Sequence, residues 1–215
     1  MKKPHYVCFD MDGVIIDSEP AHFDAFRVVL EDLTGTLMTQ YTYATYFAGK
    51  TDRQGFIDYF LSINYSPSVS LEELIDHKSR VYNRSSFTKI RTYPNTTAFL
   101  KIIPNDWHCA LVTSSTLSEV GSILNHFNLR RYFSVIVTAD DIKHSKPNPE
   151  GYILAANLLG IDPSHCTAIE DSPSGVQAAL SANMQCIALT TTHSKHSLQA
   201  ATIVTSHLSA DLFNL

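Results

Sequence analysis

Two acids two residues apart, Asp10 and Asp12, stand where the apolar run Tyr6-Val7-Cys8-Phe9 ends, and Gly13 permits a tight departure. Residues i and i+2 of an extended chain share a face, so both carboxylates can address one site. Close carboxylates repel, and a divalent cation that prefers oxygen ligands, such as Mg²⁺, relieves that repulsion. Taken alone, the pair reads equally well as a solvated strand end. A second apolar run, Ala168-Ile169, also closes on two acids, Glu170 and Asp171; Ser172 and Pro173 follow as N-cap and first residue of a helix. Alone, that pair is an ordinary helix start; two such pairs on one sheet edge suit a metal and an anion together. A third run, Ala110-Leu111-Val112, ends in the hydroxyls Thr113, Ser114 and Ser115 just before a helix, where phosphate oxygens find donors and where ordinary caps also occur. Ser145-Lys146-Pro147-Asn148-Pro149-Glu150 holds Lys146 in a loop stiffened by two prolines. Asn148 and Pro149 suit the N-cap and first position of the next helix. A lysine presented rigidly beside clustered acids can balance phosphate charge.

The elements that must position these groups follow from periodicity. Short buried strands are predicted at 6–9, 109–112, 135–137, 166–169 and 186–189, with helices at 116–127, 149–159 and 173–182 between them. Strands alternating with helices give an α/β fold, a doubly wound parallel sheet whose ligands bind beyond the carboxyl ends of the strands. One interval breaks the rhythm: 17–33, 52–61 and 71–82 read as helices, the last opened by a Ser70–Glu73 capping box. The expected organisation is a core of residues 1–16 and 92–215 with an all-helical insert over 17–91. Tyr41, Tyr43, Tyr46 and Phe47 are expected in the insert's own core. The chain is read as resuming its sheet domain near Arg91-Thr92-Tyr93-Pro94, where Pro94 blocks helix continuation.

Composition bounds the partners. The 215 residues are 44% hydrophobic and only 17% charged, with a net charge of −5, which excludes a disordered chain and argues against nucleic-acid binding. Residues Met1 to His5 carry two lysines, but the apolar run behind them is cut off by Asp10 and Asp12. Neither a signal peptide nor a membrane span is expected. Four scattered cysteines without CxxC spacing suit a reduced, cytoplasmic protein, with a monomer as the default. His193 and His196 have HxxH spacing but no third ligand nearby, and read as solvated.

The four segments, taken in order, resemble the four motifs of the haloacid dehalogenase-like superfamily. Asp10-Met11-Asp12-Gly13 resembles the first, Thr113 the second, Lys146 the third and Glu170-Asp171 the fourth; the helical insert resembles the cap of the subfamily holding β-phosphoglucomutase and many small-metabolite phosphatases. The resemblance implies a Rossmann-like core and phosphoryl transfer with Mg²⁺ as cofactor. It implies Asp10 as nucleophile forming an aspartyl-phosphate and Asp12 as general acid and base. The cation would be held by Asp10, the main-chain carbonyl of Asp12 and Asp171, with Glu170 supporting. Thr113 and Lys146, with Ser114 beside them, would bind the phosphoryl group. At its ordinary pKa of about 3.9 Asp10 would be ionised at pH 7 and need no separate base.

Asp12 argues against dehalogenation, because a halide leaving group needs no proton and the superfamily's dehalogenases lack this acid. The choice left is the acceptor. His22 and Lys78 fall where β-phosphoglucomutase has a cap-hinge histidine and a substrate-facing lysine, which favours a mutase. Against it, Arg53 sits one place late after Gly49-Lys50-Thr51-Asp52, and Ser115-Thr116 stands where the mutase has a Ser-Lys pair. Both departures take charge from a second phosphate site, with Lys50, Arg53 and Lys78 as the compensating candidates. The expectation is a hydrolase of a small phosphorylated metabolite such as a sugar phosphate, with a phosphosugar mutase as the alternative. A non-catalytic binding protein would be expected to lose Asp10, Asp12, Lys146 or Asp171, and none is lost.

Overall fold

The computed structural model describes residues 5–48, 50 and 52–213, with the side chains of 85–87 left aside. The leading residues 1–4, and Gly49 and Thr51 beside Lys50, lie outside that set. The chain divides into two compact units: Met1–Asp17 with Arg91–Leu215, and Ser18–Ile90.

The first unit is built on a six-stranded parallel sheet. Its strands are β1 (Tyr6–Phe9), β4 (His108–Val112), β5 (Val135–Val137), β6 (Cys166–Glu170), β7 (Gln185–Leu189) and β8 (Ile203–Thr205), in the order β5-β4-β1-β6-β7-β8. All adjacent pairs are parallel, and β1 lies between β4 and β6, in register Phe9↔Leu111 on one side and Phe9↔Ile169 on the other. Parallel strands covered on both faces need unbroken apolar runs, which is what these residues supply. The three central strands therefore end side by side, and the residue after each end is Asp10, Thr113 or Asp171.

Helices α5 (Pro94–Ile102), α6 (Leu117–His126), α7 (Glu150–Leu159) and α8 (Pro173–Ser181) complete this unit. One side of its core is rich in small residues: Ala110, Ala155, Ala156, Ala168, Ala178, Ala179 and Ala188 are wholly buried. Such residues let helix backbones approach a sheet closely at full packing density. The start of α8 follows its sequence: Ser172 accepts from the Gly175 N–H at 3.0 Å and Pro173 opens the helix. The α7 start differs from expectation. Pro149 is the cap and Glu150 the first helical residue, while the Asn148 side chain accepts from the Glu150 N–H at 3.0 Å, an Asx-type contact. The preceding helix ends at Lys89, and Pro94 is the first residue of α5, where a missing N–H costs nothing. A two-residue antiparallel ribbon, β2 (Ile16–Asp17) with β3 (Arg91–Thr92), closes the ends of the intervening segment.

The second unit is α1 (Glu19–Thr34), α2 (Gln40–Tyr46), α3 (Asp52–Ser62) and α4 (Leu71–Lys89). Gly35 ends α1 in the left-handed conformation (φ 66°), its N–H bonded to the Glu31 carbonyl. Ser70 and Glu73 cap α4 reciprocally, as the sequence predicts. The core is aromatic, with Phe26 against Phe47 (ring centroids 4.4 Å apart) and Phe56 (5.3 Å), and Tyr59 and Phe60 beside them. Tyr43 and Phe47 are buried and Tyr46 packs on Tyr59, but Tyr41 is 80% exposed and does not join that core. Tyr41 is one residue into α2 and turns away from the buried stripe of Tyr43 and Phe47. No helix among the described residues is long and apolar enough to cross a membrane.

Candidate active site

The strand ends bring Asp10, Glu170 and Asp171 together, one carboxylate oxygen of each lying within 4.8 Å of the others, and all three residues are buried. Lys146 reaches into this cluster from its proline-bounded loop. Its ammonium lies 2.7 Å from Asp10 Oδ1, 2.6 Å from Glu170 Oε1 and 3.2 Å from the Val112 carbonyl. Tyr152 of α7, 1% exposed, lies under the ammonium, its ring 5.3 Å away. The Tyr152 hydroxyl donates to Glu170 Oε1 at 2.6 Å. Tyr152 was not anticipated; a tyrosine on an apolar helix face reads as core, and only its hydroxyl's partner tells otherwise.

Glu170 is fully engaged by the protein: Lys146 and Tyr152 on one oxygen, the Asp171 N–H (3.2 Å) and Ser172 hydroxyl (3.4 Å) on the other. Asp10 and Asp171 are less encumbered. Burial, opposed by Lys146 and reinforced by Glu170, Asp171 and Asp12, raises the Asp10 carboxyl well above the usual range. Burial and Glu170 push Asp171 up to about 7, against a Thr192 hydroxyl bond and Lys146. With no cation beside it, Asp10 is therefore not the unperturbed carboxylate expected. Without a cation a proton competes for these oxygens, because one ammonium cannot offset three close carboxylates. Burial by itself would lower the Lys146 ammonium, but Asp10 and Glu170 outweigh it and the group stays charged.

Two glycines make room for the acids. Gly13 (φ 78°) sits so close to Asp171 that a Cβ there would overlap the carboxylate, and a Cβ at Gly175 would overlap the carboxylate of Glu170. Gly175→Ala should therefore destabilise the protein by about 1–3 kcal/mol, as an added methyl group does in a packed interior. Gly121→Ala, in α6 with nothing near its missing Cβ, should stabilise it by about 0.5–1 kcal/mol. Urea unfolding of both variants checks this; equal effects would refute the role given to Gly175.

The remaining predicted residues fall in two groups. At the β4 end, Thr113 is buried and its Oγ1 accepts from the Ser115 N–H (3.1 Å), leaving its proton to donate. Ser114 is exposed, and Ser115 donates to Asp12 Oδ2 at 3.2 Å. The Asp12 side chain is thus not a member of the three-carboxylate cluster. His22, Lys50, Arg53 and Lys78 all belong to the helical unit. Lys78, 4% exposed, has its ammonium 2.9 Å from His22 Nδ1 and 3.0 Å from Asp52, above the Phe26 and Tyr82 rings. Burial, then the Lys78 charge, hold the His22 imidazole well below the usual histidine range, so it accepts from Lys78 as a neutral ring. Lys50 pairs with Asp58 at 2.7 Å and Arg53 with Glu72 at 2.9 Å.

The segment that carries this buried carboxylate cluster and its lysine matches a known family. The model of haloacid dehalogenase-like hydrolases fits residues 7–189. The chain belongs to the haloacid dehalogenase-like hydrolases. Among curated relatives of this hydrolase, fructose-1-phosphate phosphatase YqaB of Escherichia coli (strain K12) is 30% identical over 192 residues, 83% of this chain and 93% of its own. The phosphorylated carbohydrates phosphatase of Thermotoga maritima is 32% identical, covering 83% of this chain and 82% of its own. Among solved structures, β-phosphoglucomutase of Clostridium difficile superposes with a TM-score of 0.77 over 99% of this chain and 96% of its own. At 22% identity, that likeness concerns the fold of this hydrolase.

Proposed function

We propose that this hydrolase cleaves phosphomonoesters of small phosphorylated carbohydrates with Mg²⁺ as cofactor, the helical unit of Ser18–Ile90 acting as the cap that selects the substrate. The observation that carries the reading is the buried carboxylate cluster bridged by Lys146, with Thr113 and Asp12 at the neighbouring strand ends. Mg²⁺ fits the donor set: hard carboxylate oxygens of Asp10 and Asp171, supported by Glu170, carry more negative charge than Lys146 offsets. When bound, Mg²⁺ would neutralise that charge and polarise the phosphoryl group.

In this reading a carboxylate oxygen of Asp10 attacks phosphorus, and the P–O bond to the alcohol breaks as the new acyl-phosphate bond forms. Asp12 gives its proton to the departing oxygen. The resulting Asp12 carboxylate takes a proton from water, whose oxygen attacks phosphorus, and the Asp10–phosphorus link breaks to release inorganic phosphate. Thr113 and Lys146 hold the phosphoryl oxygens, and the Ser115 hydroxyl orients Asp12.

The substrates for which the two curated relatives are named support a phosphorylated carbohydrate. The mutase reading draws on the presence of His22 and Lys78, but a mutase must also hold a second phosphate. Each of its three candidate cations is already paired with a carboxylate: Lys50 with Asp58, Arg53 with Glu72 and Lys78 with Asp52. Hydrolysis is therefore the better supported reading. Incubation with β-glucose 1-phosphate and a trace of glucose 1,6-bisphosphate should release free phosphate. Accumulation of glucose 6-phosphate without free phosphate would reverse the preference. A panel of sugar phosphates, phosphoglycolate and nucleotides then ranks the substrates.

A further inference from the structure

The loop that leaves β7 touches the site at two points that none of the four motifs contains. Thr190 N–H bonds to the Thr205 carbonyl at 3.0 Å, so the loop starts from a fixed edge of β8. Thr191 Oγ1 then donates to the Gly13 carbonyl at 2.5 Å, and Thr192 Oγ1 donates to Asp171 Oδ2. Those two acceptors belong to surfaces in direct contact, since Gly13 lacks a Cβ just where the Asp171 carboxylate lies. Consecutive hydroxyls thus grip both sides of one junction, the turn after β1 and the acid after β6.

A hydroxyl has a single proton. Thr192 gives its proton to Asp171, so His193, whose Nδ1 lies 2.8 Å from Thr192 Oγ1, must supply the N–H of that contact. The order of donation is His193 Nδ1–H to Thr192, then Thr192 to Asp171 Oδ2. This fixes the tautomer of His193 and occupies Oδ2 of Asp171, while the bond from Thr192 leaves Oδ1 unused. The HxxH spacing of His193 and His196 thereby acquires a different sense: His193 serves the site through Thr192.

We propose that Thr192, backed by His193, is a positioning residue for cation binding by Asp171, and that Thr191 holds the adjoining Gly13 turn. The proposal rests on the reading that Asp171 is a Mg²⁺ ligand. Hydrogen-bond partners that orient metal-binding carboxylates typically change metal affinity 10- to 100-fold when removed.

The test is isothermal titration calorimetry of the full chain with Mg²⁺, comparing wild type, Thr192→Val and Thr192→Ser. Valine keeps the shape and removes the hydroxyl; serine keeps the hydroxyl. The Val variant should bind Mg²⁺ about tenfold more weakly or worse, and the Ser variant within about threefold of wild type. The Mg²⁺ concentration for half-maximal rate should rise in parallel, with kcat at saturating Mg²⁺ retained. Thr192 lies on the surface, so both variants are expected to fold, and Thr192→Ala carries the same expectation should the Val variant fail to. A Val variant with wild-type affinity overturns the proposal, even if its melting temperature drops. So does a Ser variant as impaired as Val. Wild-type protein that binds no Mg²⁺ overturns the metal reading and this proposal together.

Discussion

Asp10→Asn is expected to abolish phosphatase turnover, by at least about 10⁴-fold, while leaving the protein folded. Loss of a covalent nucleophile costs more than loss of any accessory group, because no residual pathway uses the same bond. The structure adds that folding should survive the change. Asp10 is one of three carboxylates in a buried cluster facing one lysine, and burial already raises its proton affinity. Asparagine keeps the shape, removes one negative charge and leaves Lys146 paired with Glu170 at 2.6 Å. In metal-free buffer the variant should melt at the wild-type temperature or above it. Activity above about 1% of wild type on p-nitrophenyl phosphate would sink the nucleophile assignment.

Lys146→Met should do damage of two kinds. Lys146 donates to Asp10 and Glu170, and both carboxylates are shielded from water. Breaking a buried pair from one side leaves uncompensated charge and typically costs 3–5 kcal/mol, here on the order of 3–5 kcal/mol in urea unfolding. The rate should fall by about 10²–10³, the usual cost of one electrostatic contact to the transition state. A double variant, Lys146→Met with Glu170→Gln, separates the two effects. It should recover part of the stability, because Glu170's charge is gone, and none of the activity, because the phosphoryl group still lacks its lysine. A Lys146→Met enzyme that is both stable and active would remove the ammonium from the centre of the scheme.

How much of this was readable beforehand depends on the kind of signal each residue carries. β1, β4, β5, β6 and β7 stand out because strands buried on two faces are unbroken apolar runs. β8 escapes because its three residues are only half-buried at the sheet's edge, and β2 and β3 because two residues carry no period. Helix α4 runs to Lys89 rather than stopping near Tyr82, since its second half is polar and continues on hydrogen bonding instead of on an apolar stripe. Helix α2 was hidden because its run of Tyr and Thr lacks aliphatic spacing.

The site shows the same division. Asp10, Thr113, Lys146 and Asp171 are legible as candidates because each stands at a strand or loop end with a side chain suited to the proposed phosphoryl chemistry. Tyr152 and Thr192 carry no such mark: one resembles core, the other one more hydroxyl in a Thr-rich loop. The pairing of Lys78 with Asp52 was equally invisible, since it joins residues 26 positions apart on different helices. That pairing bears directly on which phosphate chemistry Lys78 can serve.

The short ribbon of β2 and β3 has a consequence for how such a protein can change over generations. Pairing Asp17 with Arg91 sets the two ends of a 73-residue excursion, Ser18–Ile90, side by side on the sheet unit. Closing a loop whose ends are already tethered costs little extra as it lengthens, about 0.6 kcal/mol for each doubling. Insertions, deletions or wholesale replacement between those two positions thus leave the register of the parallel sheet, and with it the spacing of Asp10, Thr113 and Asp171, nearly untouched. The ribbon is a splice point: the segment between its strands can be rewritten while the spacing of the strand ends stays as it was.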